Sequence, residues 1–310
     1  MHYNRTQITA LKSLTKKDYL SITQLAQDLS ISPATADLIV HDLEHKGIVD
    51  LVRSNRRINI RFNNNKHTLA LKRMFSLNAH VDYGRILSNE KIDLMKEMVK
   101  STKDKKELAE ILKVSSRTVE RNLSPLMELG VVLKQGRRYA MNPQWGDIIS
   151  FLREYFEYIN NAQVGPGCVM YWQNLDEFLV QSDEPIDKKT FHLTGAKALC
   201  DYGVSLLTED TWDYYYSEAP TNISLEEVCI HMQVKDTFAT RPILYTTLAI
   251  LKNRDQWNWD RTLAISRGYG LEKRFQELRR FIESEGAMRG EGFPDWSEVM
   301  KKAKEYDIDG

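Results

Sequence analysis

The sequence predicts a helix-rich α+β protein built of separate domains, and three observations carry that expectation. Its 310 residues exceed what one hydrophobic core usually sustains. Residues 1–145 hold 25 basic and 15 acidic side chains, whereas 146–310 hold 18 and 28, so the formal net charge of zero cancels +10 against −10. A stretch of the basic part also recurs without a gap, residues 25–49 lying on 108–132 at an offset of 83.

Hydrophobic residues at 42% and charged ones at 28% exclude a disordered tail, and no apolar run approaches a membrane span. The N-terminus has no apolar core of a signal peptide. Cys168, Cys200 and Cys229 form no CxxC pair, so no zinc or redox motif is supported, and buried free thiols in a reducing cytoplasm are expected.

Each copy of the repeat follows one pattern. A short helix, 22–29 or 105–112, carries Leu25-Ala26 and Leu29, or Leu108-Ala109 and Leu112, on one face. A brief turn brings in Ile31 or Val114, and Ser32 or Ser115 caps a second helix, with Pro33 at the first helical position of copy one. That helix buries Ala36, Val40 and Leu43, or Val119, Leu123 and Leu126, and ends at Gly47 or Gly130. Alternating strands follow, 48–52 and 58–62, then 131–133 and 139–141. Leading helices are expected at 7–14 and 90–99, the latter capped by Ser88 or Asn89, and a helical connector at 67–77 from the helix-compatible apolar spacing of Leu69, Leu71 and Phe75.

Helix, helix–turn–helix, then a basic hairpin is an order that resembles the winged helix–turn–helix domains of prokaryotic and archaeal transcription regulators, and it occurs twice. The resemblance implies that the second helix of the pair enters the major groove of double-stranded DNA and the hairpin contacts its backbone. In copy two the exposed positions are Arg117, Glu120, Arg121 and Ser124, with Lys134, Arg137 and Arg138 on the wing. Pro125 predicts a kink or an early end to this helix. In copy one the matching helix positions are Ala34, Asp37 and Leu38, a poor phosphate surface, while the wing carries Arg53, Arg56, Arg57 and Arg61. Either that wing touches nucleic acid or copy one is mainly a dimerisation unit. His41 and His45 share a helix face but lack a third metal ligand nearby.

The acidic part holds all six tryptophans, from Trp145 onward, and reads as a mixed domain in which helices predominate. Helices are expected at 148–159, 225–231, 243–252, 259–267, 271–283 and 296–305, and a strand at 168–172. Leu193-Thr194-Gly195-Ala196-Lys197-Ala198-Leu199, Tyr202-Gly203 and Asp210 resemble the nucleotidyltransferase-like domains of abortive-infection (type IV) toxin–antitoxin proteins. The family's paired carboxylates imply a metal site. Here Trp212 stands in the second position and Asp213 would face the other side of a strand, so the domain reads as a degenerate version. Along such a strand Trp212, Tyr214 and Tyr216 would point one way and Asp213 and Tyr215 the other, and the aromatic rings would form either core or the lining of an aromatic pocket.

The expected organisation is a first winged helix at 1–62, a connector at 63–88, a second winged helix at 89–144 and a regulatory or oligomerisation domain at 145–310. The expected protein is a cytoplasmic, homodimeric DNA-binding regulator without a cofactor and with an unidentified effector. The alternative is a nucleotidyltransferase-like enzyme or toxin–antitoxin component with Asp210 and Asp213 as its catalytic carboxylates. A third class is a protein-interaction adaptor.

Overall fold

The computed structural model describes residues 3–17, 19–54, 57–88, 90–204, 210–218 and 222–308. The chain is a helix-rich α+β protein that divides into two compact units, Met1–Ile159 and Asn160–Gly310.

The first unit begins with α1 (Arg5–Leu14), β1 (Leu20–Ser21), α2 (Ile22–Leu29), α3 (Pro33–His45), β2 (Val49–Ser54) and β3 (Arg57–Phe62). After α4 (Lys66–Leu77) and the short α5 (Tyr83–Ile86) the order repeats. It runs α6 (Lys91–Lys100), β4 (Lys103–Asp104), α7 (Lys105–Ile111), α8 (Ser116–Glu128), β5 (Val132–Gln135) and β6 (Arg138–Met141). Each copy closes a three-stranded antiparallel sheet, ordered β1-β3-β2 or β4-β6-β5. The two-residue strands β1 and β4 carry no readable alternation and were not expected from the sequence.

The copies match down to single backbone angles. Ser32 accepts from Thr35 N and Ser115 from Thr118 N, both at 3.1 Å, which satisfies one orphan amide of each helix. Ser30 and Lys113 both turn left-handed, at φ 53° and 54°, and Gly47 and Gly130 do so at 65° and 69°. The predicted stripes are buried, with Ala36, Val40, Leu43, Val119, Leu123 and Leu126 all at 1% exposure or less. Three details differ. α8 continues past Pro125 to Glu128. The residue at the N-cap of α6 is Glu90 rather than Ser88, while Asn89 lies outside the described residues. On α4, Met74 joins Leu71 and Phe75 inside, leaving Leu69 half exposed.

The first unit also reaches further than the expected boundary near 145. A 3₁₀ turn (Pro143–Trp145) leads into α9 (Gly146–Gln163), whose Ile148, Phe151, Leu152 and Tyr155 are buried. Tyr155 packs 6.3 Å from Tyr3 and 5.9 Å from His67, and Tyr158 lies 4.4 Å from His67. An apolar face cannot be left in water, so α9 belongs to this unit as far as Ile159. Divided there, the charges are +8 and −8.

The second unit holds a four-stranded antiparallel sheet of β7 (Cys168–Asn174), β8 (Glu177–Ser182), β9 (Phe191–Thr194) and β10 (Trp212–Tyr216), ordered β7-β8-β10-β9. The short α10 (Gly195–Ala198) and a 3₁₀ turn follow β9. Beyond β10 come α11 (Leu225–Lys235), α12 (Thr240–Lys252), α13 (Trp259–Gly268), α14 (Glu272–Glu283) and α15 (Trp296–Glu305). One core joins these helices around Val228, Ile243, Leu248, Phe275 and Phe281. A smaller core on the sheet uses Phe178, Val180, Phe191, Tyr214 and Tyr216, with Trp212 against it. The alternation expected along β10 is therefore present, and these aromatic rings are packed as core. The thiols differ from expectation: Cys229 is buried, Cys168 half-buried and Cys200 exposed.

Candidate nucleic-acid interface

The second copy presents its cations in two groups with different freedom. On α8, Arg117 and Arg121 are exposed, as is Arg137 at the β5–β6 turn, and none makes a hydrogen bond or ion pair among the described residues. Their helix is held from both sides, by the Ser115 cap and by Asn122, whose amide donates to Glu90 at 3.2 Å. Lys134 is exposed and leans over the Tyr139 ring at 5.9 Å. Arg121 also raises the local potential: Lys91 is held below the usual lysine value by burial, with Arg121 and Arg85 adding to the effect.

Arg138 and Ser124 are engaged elsewhere. Arg138 donates to the Thr102 carbonyl at 2.6 Å and pairs with Glu107 at 3.1 Å. Glu107 in turn accepts from the Asp104 amide in the capping box of α7. Ser124 donates to Glu128 at 3.1 Å, and Glu128 pairs with Arg85 at 2.6 Å, which holds its carboxyl below the usual glutamate value. Glu120 is taken by Lys105 at 3.2 Å.

In the first copy the corresponding helix face is apolar. Leu38, where α8 has Arg121, is 72% exposed. His41 is caught between Glu44 at 3.2 Å and Asp37 at 3.8 Å, and among the described residues no three potential ligands gather to hold a metal ion. On the β2–β3 hairpin, Arg53 is exposed, but Arg61 faces Asp50 across the strands and pairs with it at 3.2 Å. A Tyr19 hydrogen bond and Asp50 together raise the Arg61 guanidinium further above its ordinary value. Arg56 lies outside the described residues, as does the side chain of Arg57. Sequence reading gave these arginines equal weight because their partners lie on other strands and helices.

In the second unit, the two carboxylates of the alternative reading differ in setting. Asp210 is exposed, whereas Asp213 is bonded to Lys235 at 3.2 Å and backs onto Gly195. A methyl at Gly195 would lie 2.9 Å from the Asp213 carboxylate, and its φ of 69° favours glycine independently. The β-bulge between Met170 and Trp172 re-aims Tyr171, which hydrogen-bonds Asp213 and is pushed well above the usual tyrosine value by burial. On the same face His231 lies between Thr194 at 2.9 Å and Tyr269 at 2.8 Å, with Tyr215 stacked 5.1 Å away. Burial lowers this imidazole to about 3.

A protein-family model described as HVO_2833_C, C-terminal, matches residues 188–308. No curated protein matches the chain. The matched segment contains β9, β10 and α10–α15, and with them the His231 cluster and Asp213 with Lys235 and Gly195, while Tyr171 lies before it. Its boundary at 188 falls inside the second unit, so the tandem copies lie outside the match.

Among the described residues, no helix is long and apolar enough to cross a membrane.

Proposed function

We propose that this protein is a cytoplasmic DNA-binding transcription regulator, with tandem winged helices in the first unit and a regulatory or dimerisation role for the second. One observation carries the reading: Arg117, Arg121 and Arg137 project from the second copy with no intramolecular partner among the described residues. Exposed guanidiniums on a helix and its adjoining hairpin suit guanine edges and phosphates. The first unit's net charge of +8 supplies the long-range attraction.

In this reading copy two reads bases, and copy one contributes Arg53 to the backbone while its α3 face, with Leu38 outward, meets protein. A homodimer on a two-fold operator follows the usual symmetry of such regulators.

The deciding experiment selects bound fragments from genomic DNA and titrates the best duplex with salt. Affinity should fall steeply as salt rises. Affinity indifferent to salt would overturn the reading in favour of a protein-interaction adaptor. Nucleotide transfer from labelled NTP, abolished by Asp210→Asn, would replace it with the transferase alternative.

A further inference from the structure

The second unit carries a pocket of about 420 Å³ between α10, the start of β10, the end of α11 and the start of α12. That volume suits a small molecule. Its walls include Ala196, Lys197, Asp213, Lys235, Arg241 and Tyr245. Three cations, Lys197, Lys235 and Arg241, and two carboxylates, Asp213 and Asp236, thus border one opening, which leaves it locally positive in a unit whose net charge is −8.

The cations are not equivalent. Lys235 is matched by Asp213 at 3.2 Å, and Arg241 donates to the Tyr245 hydroxyl at 2.9 Å beside a further contact of its own. Lys197 has no acidic partner among the described residues, and its ammonium rests 3.5 Å from the centre of the Trp212 ring. A cation held on an aromatic face keeps most of its charge available to an anion that approaches from the open side. The 13-residue α12 begins at the same pocket, which Ala239, Arg241 and Pro242 line, and the Asp236 carboxylate accepts from the Ala239 amide at 3.1 Å just ahead of it. Met232 and Pro242 add apolar wall.

We propose that this pocket binds a small organic anion, its charged head between Lys197 and Arg241 and its apolar body against Met232, Ala196 and Tyr245. The assignment does not depend on the DNA reading. A carboxylate and a phosphate ester share the required head chemistry, and the assay separates them.

The test titrates the full-length protein calorimetrically with benzoate, phenyl phosphate and inorganic phosphate at fixed ionic strength and without DNA. At least one aromatic anion should bind saturably at millimolar concentration or below, and more tightly than inorganic phosphate. Lys197→Gln and Arg241→Gln should each weaken that binding about tenfold, the loss of one charged contact. Arg241 is exposed and Lys197 half-buried, both outside the core, so an unchanged circular dichroism spectrum should accompany the loss. Absence of saturable binding by all three probes, or unchanged affinity in either variant, overturns the site. Inorganic phosphate binding as tightly as the aromatic anions overturns the organic-ligand assignment. Because the assay contains no duplex, its failure leaves the regulator reading standing, and failure of DNA binding leaves the pocket standing.

Discussion

Gly47 sits directly beneath the Tyr158 ring: a methyl group on its α-carbon would lie 2.3 Å from the tyrosine hydroxyl. Its counterpart in the second copy, Gly130, has the same left-handed backbone but nothing within 4 Å of that position.

The pair separates backbone strain from packing. Gly130→Ala should cost about 1 kcal/mol, the penalty of placing an L-residue at that φ. Gly47→Ala carries the same strain and must also displace a stiff ring that packs on His67, so its cost should exceed that of Gly130→Ala by about 1–3 kcal/mol. Urea denaturation of the two variants measures the difference, and equal costs would show that Tyr158 yields freely.

Arginines of the second copy should fall into two classes. Arg121→Ala should weaken binding to the selected duplex by about 1–3 kcal/mol and relax its sequence preference. Arg137→Ala should lower the salt slope by about 0.9, one phosphate contact. Arg138→Ala should leave the slope unchanged, since its guanidinium is held by Thr102 and Glu107, and should cost less than about 1 kcal/mol of stability because the pair is exposed. Fluorescence anisotropy across a salt series distinguishes them.

Truncation should respect α9. A fragment ending at 144 leaves the partners of Phe151, Leu152 and Tyr155 uncovered, each such side chain contributing roughly 1.5–3 kcal/mol of burial. It should aggregate or bind a hydrophobic dye, whereas a fragment ending at 163 should give a cooperative melt. Equal behaviour of the two fragments would mean α9 adds little to the first unit.

His231 predicts an acid-sensitive second unit. Its folded value of about 3 lies below the ordinary 6.5, so the unfolded chain binds this proton more readily. The stability tied to the neutral ring is complete above pH 6.5 and is lost as pH falls toward 3, by up to about 1.4 kcal/mol per pH unit. His231→Gln should keep one hydroxyl contact and flatten the dependence of unfolding free energy on pH between about 6 and about 4. An unchanged slope would assign the acid response to other groups.

What was legible in the sequence follows the range of the interaction that fixes it. Ser32, Ser115, Gly47 and Gly130 announce helix ends through local hydrogen bonds and φ, and the repeat allowed each to be read twice. The Leu-Ala helix faces and the alternation along β10 were legible because period alone assigns them. The engagement of Arg138 by Thr102 and Glu107, and of Arg61 by Asp50, could not be read, because contacts 11 to 36 residues apart set it. The pocket was hidden for the same reason: Lys197 and Arg241 come from different helices, and nothing in Arg241-Pro242 marks it locally. Pro125 misled in the opposite direction, since α8 continues one turn past it without the amide that proline lacks.

The three thiols offer a practical handle. Cys229 is sealed in the helical core, where burial pushes it far above the ordinary thiol value, and Cys168 is half covered by its strand, so Cys200 is the exposed one. A maleimide dye should therefore attach first at Cys200, in the turn that follows α10 and Lys197. One fluorophore, placed without altering a residue, would then report on events at that edge of the second unit in real time.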